Sequence, residues 1–286
     1  MLKILLLASL MALGMFALTG CDGDEDGFDF NREITVVRRE DGSGTHTAFI
    51  EIIGLFVDGQ DLTSVDAEIS PGTSIVIGSV GGNEYAIGYI SLGSLNDSVS
   101  AISVNGVTPT AENVRNGSYA LFRSFYLVVM EDVSPETQAF LDFVLSAEGQ
   151  SIIEGRNYVP AVASAPAFDT TGDFSGTVVV SGSTSVESVM LRLAEAFRAI
   201  HGNVTVEVHA GGTGAGINAT ISGTADIGMS SREIRDSELE QGVRPIAIAH
   251  DGIAVIVHND NPVDNLPGDI IRRIFGGELT RWNATE

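Results

Sequence analysis

Three times in this chain an apolar β-type run breaks into a turn of glycine and hydroxyl residues, and the turn leads straight into a helical pattern. The segments are VVRREDGSGT from Val36, VVVSGSTS from Val178 and VEVHAGGTGAG from Val206. Strands that feed helices through short turns belong to layered α/β folds, and glycine lets the main chain come close to whatever the turn holds. At a helix start the first N–H groups have no helical partner and the helix dipole is positive, so an oxyanion is held there by neutral donors. Serine and threonine add hydroxyl donors. One such turn is compatible with a plain helix cap; three of them, around Ser43, Gly182 and Gly212, point to one shared anion site.

Arg39, four residues before Ser43, supplies what neutral turns lack, a full charge on a planar fork that suits two oxygens of phosphate or sulfate. Arg38 should point the other way if the run is extended, into a surface ion pair. Asp41 is expected to orient Arg39, with acceptance of a proton from the ligand or the start of a turn as its alternatives. DIGMSSREI places Ser230 and Ser231 ahead of another expected helix, where Ser231 donates to a ligand, caps the helix, or does both.

The remaining pattern alternates. ITVV from Ile34, YAIGYISL from Tyr85, FYLVVM from Phe125 and VTVEVHA from Val204 read as strands, and IAIAHDGIAVIVH from Ile246 as a strand pair or one long strand kinked at Asp251–Gly252. THTAFIEIIGLF suits a helix, as does SPETQAFLDFVLSAEGQ, which has Ser134 as N-cap and Pro135 at the first helical position. Val186, Val189, Leu193, Phe197 and Ile200 repeat at helical spacing until Gly202. Residues 164–176, rich in Pro, Gly, Asp and Ser, read as a linker. The alternation predicts an α/β architecture with largely parallel pairing.

With 286 residues, 44% of them apolar, the chain can bury one or two real cores. Its formal charge is -23 and Lys3 is its only lysine, which argues against nucleic acid or an anionic membrane surface as partner. Residues 1–20 read as an export signal, with an apolar stretch too short to span a bilayer comfortably. Leu18-Thr19-Gly20-Cys21 resembles a bacterial lipoprotein box, with Cys21 as the acylated first residue; the alternative is an ordinary secretory signal with a stray cysteine. As the only cysteine, Cys21 leaves no internal disulfide to support the fold. Residues 21–30 read as a solvated acidic tether on an extracytoplasmic, lipid-anchored protein.

These same residues give the chain its resemblance to the phosphate-binding lipoproteins that serve bacterial phosphate ABC transporters. GSTSV, GGTGAGI, DIGMSSR, DGIAVIV, NPV and IFGGELTRW run in the family's order from Gly182 to Trp282. The part expected after them, ITVVRREDGSGTHTAF through AIGYISL, NGSYALFRSFYLVV and LSAEGQSII, instead occupies Ile34 to Ile153. The resemblance therefore implies a circularly permuted copy of a two-lobed periplasmic-binding-protein fold, a type II-like clamshell with hinge strands closing on the ligand. It implies a discontinuous lobe A of residues 28–118 plus 250–286, and a lobe B of 119–249 that contains the linker. Carried over residue by residue, the phosphate contacts are Thr184, Ser185, Thr213, Ser231, Arg39, Ser43, Gly44 and Thr45, supported by Asp41, Gly182, Gly212 and Ser230. Some members carry an aspartate where Ser231 stands, and Thr213 replaces a serine. The implied partners are inorganic phosphate and the permease subunits of an ABC transporter, with membrane contact through the lipid anchor only. A permuted single copy and a piece of a tandem array remain alternatives; a second VVRREDGSGT beyond Glu286 would decide for the array.

An enzyme is the first rival. The sequence has no G-x-S-x-G elbow and no G-K-[ST] phosphate loop. Its five histidines, His46, His201, His209, His250 and His258, show no metal-ligand spacing, so neither a metal site nor any cofactor is expected. His46 is expected in exposed packing, with pH tuning of the site as its alternative. A surface adhesion or sensing protein that keeps the fold, and a binder of another tetrahedral oxyanion, are the other rivals.

Overall fold

The computed structural model describes residues 27–285. The leader at 1–20, Cys21 and most of the acidic tether lie outside the described residues. The tether's last part is not solvated: Phe28 and Phe30 pack edge-on against each other, and Phe28 meets Tyr85 and Trp282.

One curled sheet organises the molecule, in the order Val204–Ala210, Gly176–Gly182, Ile227–Ser230, Phe122–Val129, Arg244–Val257, Ala86–Ser91, Thr35–Arg39, Glu68–Ser70. Each end is a parallel trio, Gly176–Gly182 lying between Val204–Ala210 and Ile227–Ser230, and Thr35–Arg39 between Glu68–Ser70 and Ala86–Ser91. The expectation of largely parallel pairing fails in the middle. Phe122–Val129 and Arg244–Val257 run antiparallel to each other and to the trio strands beside them. These two strands cross from one core to the other, a role that needs no helical crossover and so permits antiparallel neighbours.

Arg244–Val257 is one continuous strand, and its irregularity falls between Ala247 and Ala249 rather than at Asp251–Gly252. Its first half packs into a core with Phe125, Leu127, Phe140, Val180, Leu193 and Phe197. Its second half enters a core with Phe49, Tyr89, Ile271, Phe275 and Trp282, flanked by a smaller cluster around Val37, Val76 and Val80. Tyr119 and Leu121, expected in lobe B, pack in this second core, which moves the change of core to about Phe122–Ser124.

The helices follow their caps. Ser134 accepts from the Thr137 N–H and Pro135 opens the helix Pro135–Leu145. This helix does not continue through Ser146 as expected. The Ser146 side chain accepts from Gly149 N–H and starts a new helix, Ala147–Glu154. A side chain at Gly149 would stand 2.2 Å from the Phe143 carbonyl oxygen, so the sharp change of direction requires glycine there. Residues 161–175 form the irregular connection.

The placement of four helices matters most for function. Gly44–Ile52, Thr73–Gly81, Glu187–Ile200 and Thr213–Ile221 each follow a parallel strand, namely Thr35–Arg39, Glu68–Ser70, Gly176–Gly182 and Val204–Ala210. Parallel strands with helical returns place their carboxyl ends and the helix N-termini on one rim. Two such rims, one from each core, meet.

Candidate functional site

The meeting is carried by hydroxyls. Thr45 Oγ1 lies 2.9 Å from Ser185 Oγ across 140 residues of sequence. Ser183 Oγ donates to Ser231 Oγ at 2.9 Å, and Thr213 Oγ1 stands 3.4 Å from Ser231 Oγ while accepting from the Ser231 N–H. Thr73 Oγ1 reaches both Thr184 Oγ1, at 3.2 Å, and Ser185 Oγ, at 3.4 Å. The Gly214 N–H donates to the Gly42 carbonyl at 3.1 Å, tying two turns together through their backbones. Ser43, Thr45, Thr73, Ser183, Ser185, Thr213 and Ser231 are all buried.

Two glycines are required by this closeness. A methyl group on Gly44 would stand 2.4 Å from Thr213 Oγ1 and 2.6 Å from Ser231 Oγ. One on Gly182 would stand 2.3 Å from the Met229 carbonyl oxygen. We expect Gly44→Ala to force the turns apart and to lower folding stability by about 1–3 kcal/mol, the usual range for overpacking. Urea unfolding measures this, and an unchanged midpoint would mean that the turns do not approach as closely as described.

Local cap chemistry explains several of the positions. Ser43 caps its own helix by accepting from the His46 N–H at 3.4 Å. Gly212 adopts φ 93°, open to glycine at little cost, and Thr213 begins the helix behind it. The GSTS turn behaves differently from expectation, since a tight turn intervenes and the helix starts only at Glu187, with no side-chain cap. Ser231 caps nothing, because the nearest following helix, Asp236–Leu239, starts five residues later. Ser230 Oγ donates to the Arg232 carbonyl and braces the loop rather than facing the other hydroxyls.

Arg39 joins this cluster as expected. It is only 2% exposed, and Nη1 donates to Thr73 Oγ1 at 3.3 Å. Its orienting partner is Glu40, not Asp41. Nε and Nη2 donate to the two Glu40 carboxylate oxygens at 2.8 and 2.7 Å, and the Gly72 N–H adds a third bond to that carboxylate. Asp41 is 89% exposed in its side chain and pairs with Arg38. The strand ends at Arg39, so Glu40 escapes the alternation of faces that would have sent it away. Glu40 takes one side edge of the fork and leaves the Nη1 end towards the hydroxyls. Partial burial pushes the Glu40 carboxyl up, but the Arg39 guanidinium and the backbone donors outweigh it and hold the group below the usual range.

His46 is buried, not exposed. Its Nδ1 meets the Tyr89 hydroxyl at 2.7 Å, its Nε2 meets Asp61 at 2.6 Å, and Arg38 approaches from the same side. Burial lowers its affinity for a proton below the ordinary value, against the pull of Asp61. Thr73, Ser183 and Glu40 were missed from sequence. Thr73 shares with Thr213 a setting that only the structure discloses: Gly72 and Gly212 adopt one backbone conformation, φ/ψ 92°/153° and 93°/154°, and each precedes a threonine that opens an apolar helix.

Chemically, the arrangement offers helix N-termini, a ring of hydroxyls and one fixed guanidinium, which together suit a compact oxyanion. Among the described residues no cluster of His, Cys, Asp and Glu could hold a metal ion. A cavity of about 700 Å3 lies elsewhere, beneath the 161–175 connection between Pro135, Leu145, Phe168 and Phe174, and touches none of these groups.

The chain is similar to known proteins along most of its length. The family model described as a PBP superfamily domain matches residues 25–148 and 165–286. The chain is 38% identical to "Phosphate-binding protein PstS 2" of Streptococcus agalactiae serotype V, over 99% of this chain and 97% of that protein. It is 39% identical to the protein of the same name from Streptococcus pneumoniae serotype 4, over 98% of each. A crystal structure described as a phosphate ABC transporter, phosphate-binding protein from Streptococcus pneumoniae TIGR4 superposes with a TM-score of 0.71 at 40% identity, covering 89% of this chain and all of that one.

Proposed function

The chain belongs to the PBP superfamily, and on that premise we propose that it is an extracytoplasmic receptor that captures inorganic phosphate and delivers it to an ABC transporter. One observation carries the reading: turns from two separate cores bring Thr45, Thr73, Thr184, Ser185, Thr213 and Ser231 into one hydroxyl cluster beside the Arg39 fork. Ser43 and Gly44 supply the helix start beneath that cluster. Binding, not hydrolysis, is favoured by the pairing of these groups. The hydroxyls partner one another, both ring nitrogens of His46 are taken by Tyr89 and Asp61, and the Glu40 carboxylate is taken by the Arg39 fork.

In this reading the two cores are the lobes, and the antiparallel strands Phe122–Val129 and Arg244–Val257 are the hinge. The exchanged order of the halves belongs to the same proposal. Its support is that Ile34 N–H donates to the Thr280 carbonyl and Asn283 N–H to the Phe30 carbonyl, so the stretches around 30–34 and 280–283 lie side by side. The streptococcal relatives align with this chain over 97% and 98% of their own length. Acylation of Cys21 would hold the receptor at the membrane; among the described residues no helix is long and apolar enough to cross one.

Calorimetric titration with phosphate, sulfate and arsenate tests the function. Phosphate is expected to bind with micromolar or tighter affinity, about -8 kcal/mol or more favourable. Heat from sulfate but not phosphate would reassign the site to another oxyanion, and heat from none of the three would leave the adhesion or sensing reading ahead.

A further inference from the structure

A groove of about 550 Å3 opens directly over the cluster, and Thr73 and Thr184 belong to both. Its walls come from the two sides of the molecule. Thr73 and Gly93 stand on one, Thr184, Ser188 and Arg156 on the other. Elsewhere around the cluster the turns are shut against each other, Gly42 against Gly214 through a backbone bond and Gly44 against Thr213 and Ser231. The groove is thus the side from which the hydroxyls can be reached, and the 3.2 Å contact between Thr73 and Thr184 lies across its floor.

The charges in the groove are few. Arg156 is exposed and makes no ion pair among the described residues, and Glu187, at the start of the Glu187–Ile200 helix, is the one carboxylate on the walls. On a chain of net charge -23, Arg198, Arg235 and Arg244 likewise make no ion pair among the described residues, and what sets Arg156 apart from them is its place on the wall of this groove. An approaching anion is repelled by most of the surface, and a local positive charge in a narrow cleft focuses the field that draws it in.

We propose that this groove is the inlet of the anion site, that Arg156 draws the anion into it, and that the Thr73–Thr184 contact is the gate the anion passes. The proposal rests on the phosphate reading above. It separates two kinetic roles: Arg156 acts on arrival, and Thr73 acts on retention.

Release of radiolabelled phosphate is timed after addition of excess unlabelled phosphate, and affinity is measured by equilibrium dialysis, so that their ratio gives the association rate. For Arg156→Glu we expect association to slow about tenfold at low salt and to converge with the unaltered chain at about 0.5 M salt, with release unchanged. Glu187→Gln should shift association the opposite way. Thr73→Val keeps the side-chain shape but removes the hydroxyl, and should speed release about tenfold. If the unaltered chain binds no phosphate, the function falls and the inlet with it. If it binds, an Arg156→Glu variant with the original association rate and salt dependence overturns the inlet alone, and unchanged release in Thr73→Val overturns the gate.

Discussion

Replacing Arg39 with alanine is expected to weaken phosphate capture by about 2–5 kcal/mol, the range for removing one member of a buried, hydrogen-bonded charge pair. In affinity this is roughly thirtyfold to several thousandfold. The size follows from what remains. Arg39 is buried and its fork is held by Glu40 at 2.7 and 2.8 Å, so truncation removes the one full positive charge that touches the hydroxyl cluster among the described residues and leaves a carboxylate beside it. Part of the loss is therefore repulsion from Glu40 and not the lost guanidinium contact. Combining Arg39→Ala with Glu40→Gln should recover about tenfold of the affinity, whereas Glu40→Gln alone keeps an acceptor for the fork and leaves Arg39 with uncompensated charge. Calorimetry separates these cases. Unaltered affinity in Arg39→Ala would remove the guanidinium from the site, and a double variant no better than the single would remove Glu40 from its vicinity.

That the orienting carboxylate is Glu40 shows which parts of this site a sequence can disclose. Turns are local: glycine, serine and threonine at a strand end prescribe a helix start whatever surrounds them, so Ser43, Gly44, Thr45 and Thr213 were readable. The choice between Glu40 and Asp41 depends on where the strand ends, a boundary set by the neighbours Glu68–Ser70 and Ala86–Ser91. Thr73 was hidden in SPGTSIVIG, which reads as an ordinary turn until Gly72 is seen to repeat the conformation of Gly212. His46 was misjudged because its partners, Asp61 and Tyr89, arrive from a short hairpin and a central strand. The antiparallel middle of the sheet is a property of the crossing between two cores, and no local period encodes it.

The largest expected effect on stability lies at that crossing. Asp251 and Arg123 stand opposite each other on the two antiparallel strands, 3.0 Å apart and buried, with Ser91 donating to the other carboxylate oxygen. Burial pushes the Asp251 carboxyl up and makes the Arg123 charge easier to lose, while their mutual attraction opposes both shifts. The pair is not fully satisfied: Arg123 Nε and Nη1 have no hydrogen-bond partner, and the guanidinium stands 5.3 Å from the Phe125 ring centroid. We expect Arg123→Met to cost about 3–5 kcal/mol in urea unfolding at alkaline pH, because it strands a buried carboxylate. With its folded value raised above the ordinary 3.8, Asp251 binds its proton more tightly in the folded than in the unfolded chain. The penalty is therefore complete above the folded value and recedes as the pH falls towards 3.8. Replacing both partners, Arg123→Met with Asp251→Leu, should return stability to within about 1 kcal/mol of the unaltered chain or above it, since an incompletely bonded buried pair offsets little of its own desolvation. A loss in Arg123→Met that did not change with pH would show that Asp251 carries no stranded charge, and the crossing would then be held by its backbone ladder alone.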